Sequence, residues 1–433
     1  MQTASPKIVR AWTMYDWANS VYNLVITSTI LPAYYEAMTG DGDPLTHDKV
    51  SFIGFTFDNV ALYNYALSFG FLIVALMSPI LSSIADFKGN KKSFLRFFMT
   101  VGSISCSSLY FYGKDNLWLG ISFSIIACIG YWSSIVFYNS YLPEIAAEED
   151  RDRISARGFS MGYIGSVILQ IFSFILIMKN DWFGITVAKG SQLSFLLVGI
   201  WWFSFGSIAL KPLPLPSSNG KEAGRLFLNG YKELGKVWKQ MTHMAVLKKF
   251  LISYFFYNMG VQTVMLAASL YASSELAIPT PNLIISILFI QLIAIPGSMI
   301  ISRLSGKIGN IKAIMCCVVV WIVLCIIGYK LPAHNVNAFY GLACLVGFVM
   351  GGIQSLSRST YSKLMPVTKD TASFFSFFDV SEKIGIVIGL FLFGFLTEQT
   401  GSQRISVLSC MIFFIIGLIL LIQTLKKMKN EAV

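Results

Sequence analysis

The stretch SSIADFKGNKK, residues 82–92, has an echo at residues 302–312, SRLSGKIGNIK. Each sets small residues at the end of an apolar run, then Gly-Asn, then lysine. Outward from these two segments, apolar windows of about 20 residues, the length needed to cross roughly 30 Å of hydrocarbon, recur along the chain. Twelve spans are predicted, over residues 11–37, 60–85, 93–112, 117–141, 158–179, 191–210, 250–274, 282–302, 311–330, 338–357, 373–397 and 404–424. The two echoing segments follow the second and the eighth span, the same place in each set of six.

Between the sets lies the longest polar segment, residues 211–249, KPLPLPSSNGKEAGRLFLNGYKELGKVWKQMTHMAVLKK. Its prolines close the sixth span. Leu226, Phe227, Tyr231, Leu234 and Trp238 then follow at helical spacing with lysines between them, the pattern of a helix lying on a membrane surface or of a plain linker. The expected organisation is a six-helix half over 1–210, a linker over 211–249 and a second six-helix half over 250–433.

Composition fits an all-α integral membrane protein. The 433 residues are 55% hydrophobic and 13% charged, about half the charge of an ordinary soluble domain. The windows are too long for the ten-residue alternation of a barrel. Asp16 and Trp17 interrupt the first apolar run too early for a cleavable signal, so span one is expected to stay. Of the 33 Lys and Arg, 26 fall in or beside the N-terminal tail, the even-numbered loops and the C-terminal tail, six in odd-numbered loops, and Lys383 within a span. That bias predicts both termini in the cytoplasm and contact with anionic lipid.

The net charge of +11 is spread over seven short segments, which gives a nucleic acid no surface. The seven cysteines fall in or beside spans without a C-x-x-C pair, and His47, His243 and His334 fall outside them, so neither a metal nor a cofactor is expected. A G-x-x-x-x-G-K-[ST] phosphate loop is absent from the sequence, which excludes ATP as the direct energy source.

Ser82, Asp86, Gly89, Lys91 and Lys92 resemble the loop between spans two and three of the major facilitator superfamily, with Ser82 and Asn90 departing from its usual glycine and arginine, and Gly306 standing at the Asp position of the second half. Further stretches resemble the autophagy-related vacuole effluxer family, in its bacterial form: AWTMYDWANSVY (11–22), FYNSYLPEIA (137–146), ARGFSMGYIGS (156–166), GGIQSLSRSTYSKLMP (351–366), FFSFFDVSEKIG (374–385) and SQRISVLS (402–409). The resemblance implies two parallel six-helix halves, a bacterial inner membrane, and transport. Fungal members export amino acids from the vacuole, so an amino acid or related zwitterion is the solute it implies.

Chemistry inside the spans is sparse. Asp16, Asn19, Ser20, Asn23 and Thr27 follow i, i+3, i+4, i+7, i+11 and make one polar stripe on span one. In the resembled fold, spans one, four, seven and ten line a central cavity. Tyr138 and Asn139 on span four, Asn258 and Gln262 on span seven and Gln354 on span ten would then converge with Asp16, Asn19 and Asn23 on a small polar solute. The alternative for such a stripe is packing through interhelical hydrogen bonds.

Span eleven carries Asp379, Glu382 and Lys383 in a run long enough to cross a bilayer. Spacing i, i+4 lets Asp379 pair with Lys383, leaving Glu382 to find Arg358, a proton, or a basic group from Lys91 and Lys92. A latch between the halves and a coupling site are both open readings of these residues. At the loop, Asp86 is expected to accept from a helix N-terminus while Lys91 and Lys92 face lipid phosphates.

The expected function is secondary active transport of a small polar solute by alternating access, with a proton or another ion as possible driver, by a monomer in the membrane. A solute-binding receptor or scaffold without transport, and a carrier of sugars, peptides or drug-like cations, are the alternatives. No catalytic order of residues points to an enzyme.

Overall fold

The computed structural model describes residues 2–40, 49–214 and 226–431; side chains at 60, 226–231, 233 and 280–281 lie outside the description. Span one is the continuous run Pro6–Val21, Tyr22–Ile30 and Leu31–Thr39. Spans two to six are Asn59–Lys88, Lys91–Ser108, Leu117–Ser140, Arg151–Met178 and Val187–Leu210. A linker helix, Leu226–His243, precedes spans seven to twelve: Ala245–Ser274, Thr280–Ile308, Asn310–Lys330, Val336–Leu364, Thr371–Thr400 and Gln403–Glu431. Eleven helices are long and apolar enough to cross a membrane, and span one, divided by its middle segment, completes the twelve.

Several helices run past the apolar windows. Spans five and ten each gain about two turns at the end that carries the chain termini, because hydropathy marks only the hydrocarbon portion while polar helix ends continue beyond it.

Two departures from the predicted pattern lie in and after span one. Tyr22–Ile30 is a π-helix, with the hydroxyls of Ser28 and Thr29 donating to the carbonyls of Asn23 and Leu24, both at 2.8 Å. Before span two, Lys49–Phe52 and Phe55–Asp58 form an antiparallel hairpin whose two-residue turn, Ile53 and Gly54, has φ of 51° and 79°. Positive φ at both turn positions matches the twist of the flanking strands.

Buried apolar residues form two cores. One is built from spans one to six, with Trp12, Tyr22, Phe98, Tyr138 and Trp202 at its centre, and receives Ala372 from span eleven. The other is built from the linker helix and spans seven to twelve, with Phe250, Trp321, Phe374 and Phe414, and receives Val136 and Tyr163. Large apolar side chains on the outside, such as Leu72, Leu76, Phe172, Ile412 and Ile419, are exposed, as a lipid-facing surface requires. Between the two sets of helices, span two packs on span eleven and span five on span eight.

The linker helix packs against spans two, seven and eleven, with Val237 and Met241 buried and Trp238 in ring contact with Phe377 at 5.4 Å. The helix is thus seated on the bundle through Val237 and Met241, while Trp238 remains largely exposed.

Candidate functional site

Spans one and ten supply the central charges. Asp16 lies about 15 Å into span one from Pro6, and Arg358 about 9 Å from the matching end of span ten. Arg358 Nη1 stands 3.3 Å and Nη2 3.4 Å from Asp16 Oδ2, with the two side chains only 4% and 8% exposed. Tyr138 on span four donates to the same carboxylate oxygen at 2.6 Å.

The guanidinium has further acceptors. Its Nε donates to Ser155 Oγ at 2.9 Å, Nη2 to the Ser155 carbonyl at 2.9 Å, and Nη1 to Asn139 Oδ1 at 3.2 Å. Phe159, Trp12 and Tyr138 place rings 4.2, 4.8 and 5.5 Å from its central carbon. A buried charge survives only when paired and hydrogen-bonded; here four helices, one, four, five and ten, meet to do it. Gly158 permits the approach, since a Cβ there would overlap Asp16 Oδ2 and sit 3.0 Å from Arg358 Nη2.

Asp16 is therefore occupied by Arg358 and Tyr138, not open to a solute ammonium in this state. Arg358 is likewise taken, so it is not the partner of Glu382.

The rest of the predicted stripe divides at the π-helix. Asn19 is fully buried with its Nδ2 unpartnered, whereas Asn23 is exposed. Asn23 is only the second residue of the π-helix, so it stays close to the face of Asp16 and Asn19, and its exposure marks where the stripe leaves the buried part of the span. Asn258 is buried on span seven, also with Nδ2 unpartnered. Gln354 accepts from Tyr163 of span five at 3.0 Å, a further bond between the two sets of helices.

The charged cluster of span eleven lies eight to twelve residues from Thr371, about 12–18 Å into the helix. Lys383 Nζ is 2.8 Å from Asp379 and 3.3 Å from Glu382, and 3.5 Å from the centre of the Trp132 ring on span four. Gln262 on span seven donates to Glu382 at 2.6 Å, and Ser78 on span two to Asp379 at 3.4 Å. Glu382 thus takes Gln262 and a share of Lys383 as partners, in place of Arg358, Lys91 or Lys92.

At the end carrying the chain termini, Asp86 accepts from the backbone N–H of Ala372 and Ser373 at 3.2 and 2.7 Å and from the Ser373 hydroxyl at 2.8 Å, which caps span eleven. Gly89, with φ 64°, makes the turn that places Asp86 there. Lys91 is 2% exposed and pairs with Glu144 and Thr371, while Lys92 donates to the carbonyls of Lys211 and Leu213 at the end of span six. Both lysines are thus committed to protein partners instead of lipid phosphates. On the pseudo-equivalent side, Asp152 of span five accepts from Lys363, Asn310 and Ser305 at 2.7, 2.7 and 3.0 Å. The acid missing at Gly306 is supplied from the opposite set of helices.

Sequence reasoning did not reach Trp12, Trp132, Glu144, Asp152, Ser155, Tyr163 or Lys363 as members of these networks. Trp12, Glu144, Tyr163 and Lys363 lie within the quoted stretches 11–22, 137–146, 156–166 and 351–366 and Ser155 beside one of them, which is the available signal; Trp132 and Asp152 lie outside them.

Two sets of six helices joined by buried polar contacts define a membrane carrier of the major facilitator type, and solved structures share the fold. The human organic anion transporter MFSD10 superposes with a TM-score of 0.73 at 10% identity, over 96% of this chain and 100% of that one. The Escherichia coli fucose:proton symporter FucP gives 0.69 at 14% identity, over 96% and 97%. The chain belongs to the Atg22-like vacuole effluxer family, whose model matches residues 4–433. It is 32% identical to the uncharacterized MFS-type transporter YxiO of Bacillus subtilis, over 95% of this chain and 93% of that one. To autophagy-related protein 22 of Kluyveromyces lactis it is 26% identical, over 83% and 78%. It is an MFS-type transporter, and its relatives are carriers, not enzymes.

Proposed function

We propose that the protein moves a small polar solute, an amino acid or related zwitterion, by alternating access, and that the Asp16–Arg358 pair is the lock its two six-helix halves break and remake. The observation that carries this reading is the pair itself: a fully buried ion pair between spans one and ten, held where the halves meet. Such a pair is costly to bury and costly to break on one side only, so it suits an element with two discrete arrangements.

Two buried amides with unpartnered Nδ2 groups, Asn19 and Asn258, and the Tyr163–Gln354 pair offer donors and acceptors for a zwitterion. Buried polar groups left unpaired cost free energy, and a solute that pairs them recovers it. Positive charge gathered at the terminus-bearing end, 26 of 33 basic residues, supports a cytoplasmic placement of that end in a bacterial inner membrane. The Asp86, Lys91 and Asp152 networks then close the cytoplasmic side. The test is counterflow in liposomes: exchange of radiolabelled neutral amino acids is expected. Exchange of a sugar or peptide alone would keep the lock and replace the solute, and exchange of nothing would remove transport.

A further inference from the structure

We propose that the hairpin before span two is a membrane anchor: its apolar face and its tip, Ile53 and Phe55, enter the boundary between headgroups and acyl chains in the lipid leaflet at the end away from the chain termini. The strand register sorts the side chains. Val50 stands opposite Phe57 and Phe52 opposite Phe55 on one face, while Lys49 opposite Asp58 and Ser51 opposite Thr56 make the other. One face of the hairpin is wholly apolar and the other wholly polar.

The root of the apolar face rests on protein and the tip overhangs it. Val50, Phe52 and Phe57 pack on the first core, whereas Ile53 and Phe55 are 79% and 66% exposed. Ile53 has φ of 51°, a backbone region that asparagine and glycine enter readily and a β-branched residue enters at a cost. A turn facing water favours the polar residue; an isoleucine there recovers its cost when its side chain leaves water.

Continuity with span two identifies lipid as the occupant. Tyr65, Phe69, Leu72 and Leu76 follow at i, i+4, i+7 and i+11 and are all exposed, one lipid-facing stripe along that helix. Phe57 meets Tyr65, at the head of the stripe, edge to ring at 6.5 Å, and Phe55 lies 6.4 Å from Phe57. The apolar face of the hairpin therefore continues the stripe instead of rising away from it. Phe111, Trp118 and Trp182, at the same end of the bundle, are exposed too, as in the aromatic belt of a membrane–water interface. The root is held in place. Asp58 caps span two by accepting from the Ala61 N–H at 3.1 Å, Tyr35 of span one donates to the Asn59 carbonyl at 2.9 Å, and Asn59 Nδ2 donates to Thr39 at 3.3 Å. Among the described residues the sheet has two strands, so its outer edges carry backbone groups that hydrocarbon would leave unpaired. The hairpin therefore lies at headgroup depth with its polar face to water, and it holds the joined ends of spans one and two at that level.

The test needs no solute and does not depend on what the protein carries. Nitroxide labels from Ile53→Cys and Thr56→Cys, each on a cysteine-free background, are placed in vesicles of phosphatidylethanolamine and phosphatidylglycerol. Paramagnetic resonance then reads their collisions with oxygen, which concentrates in lipid, and with a nickel chelate, which stays in water. The oxygen-to-nickel ratio is expected to be several-fold higher for the label replacing Ile53 than for the label replacing Thr56. Equal ratios, both those of a label in water, overturn the anchor. A label replacing Ile53 that is shielded from both reagents overturns it as well, by showing protein over the tip. Should Ile53→Cys disturb the turn, Phe55→Cys reports from the apolar face beside it, and a water-like ratio there is equally fatal.

Discussion

Replacing Asp16 by Asn changes little in shape and removes the only carboxylate bonded to Arg358 among the described residues. Breaking one side of a buried pair costs roughly 3–5 kcal/mol. The lower end applies here, because Arg358 keeps Ser155 Oγ, the Ser155 carbonyl and Asn139 Oδ1 as acceptors, and three aromatic rings remain around it. The loss falls on the closed arrangement, since Arg358 is rehydrated when the halves part. A penalty of about 3 kcal/mol moves the closed-to-open ratio by roughly a hundredfold. Nitroxide labels at exposed Lys88 and Val367, one on each half at the terminus-bearing end, report it by electron–electron distance measurement on a cysteine-free background. The wild-type distribution is expected to be short, and Asp16→Asn to add a dominant longer distance. The double variant Asp16→Asn, Arg358→Gln removes both charges and is expected to return toward the short distance. A distribution in Asp16→Asn identical to wild type, or a double variant as open as the sum of the singles, refutes the reasoning.

Gly158→Ala places a methyl against Asp16 and Arg358, an overpacking cost of about 1–3 kcal/mol on the closed state; the same label pair should lengthen in part, and solute exchange should slow. Asp86→Ala removes the cap of span eleven, worth about 0.5–2 kcal/mol, and should lower the detergent melting temperature while Asp86→Asn recovers part of the loss. Lys363→Met leaves Asp152 with Asn310 and Ser305 only and should destabilise the same end by less than Asp16→Asn, since Lys363 is 19% exposed; an equal or larger opening would shift the main lock from Asp16 to Asp152.

The repeat at 82–92 and 302–312 and the spacing of apolar windows made the twelve-helix plan legible, because bilayer thickness sets one length that every span must meet. The helix ends beyond the hydrocarbon, the π-helix of span one and the hairpin at 49–58 were not read, although Phe52, Phe55 and Phe57 around Ile53-Gly54 carry an alternating hairpin signal. Which ionisable residues the chain would bury was plain from their rarity in apolar runs; which would pair was not. Asp16 and Arg358 are 342 positions apart, and local spacing speaks only to pairs such as Asp379 and Lys383, four apart on one helix. His47 lies outside the described residues, and the linker side chains Leu226, Phe227 and Tyr231 likewise.

The most direct test compares exchange rates in liposomes for wild type, Asp16→Asn and the double variant Asp16→Asn, Arg358→Gln. If the pair is the lock, Asp16→Asn slows exchange at least roughly tenfold, as a cycle trapped by about 1.4 kcal/mol or more requires, and the charge-free double variant recovers most of the rate. Asp16→Asn at the wild-type rate would contradict the lock, and a double variant as slow as Asp16→Asn would return Asp16 to direct contact with the solute.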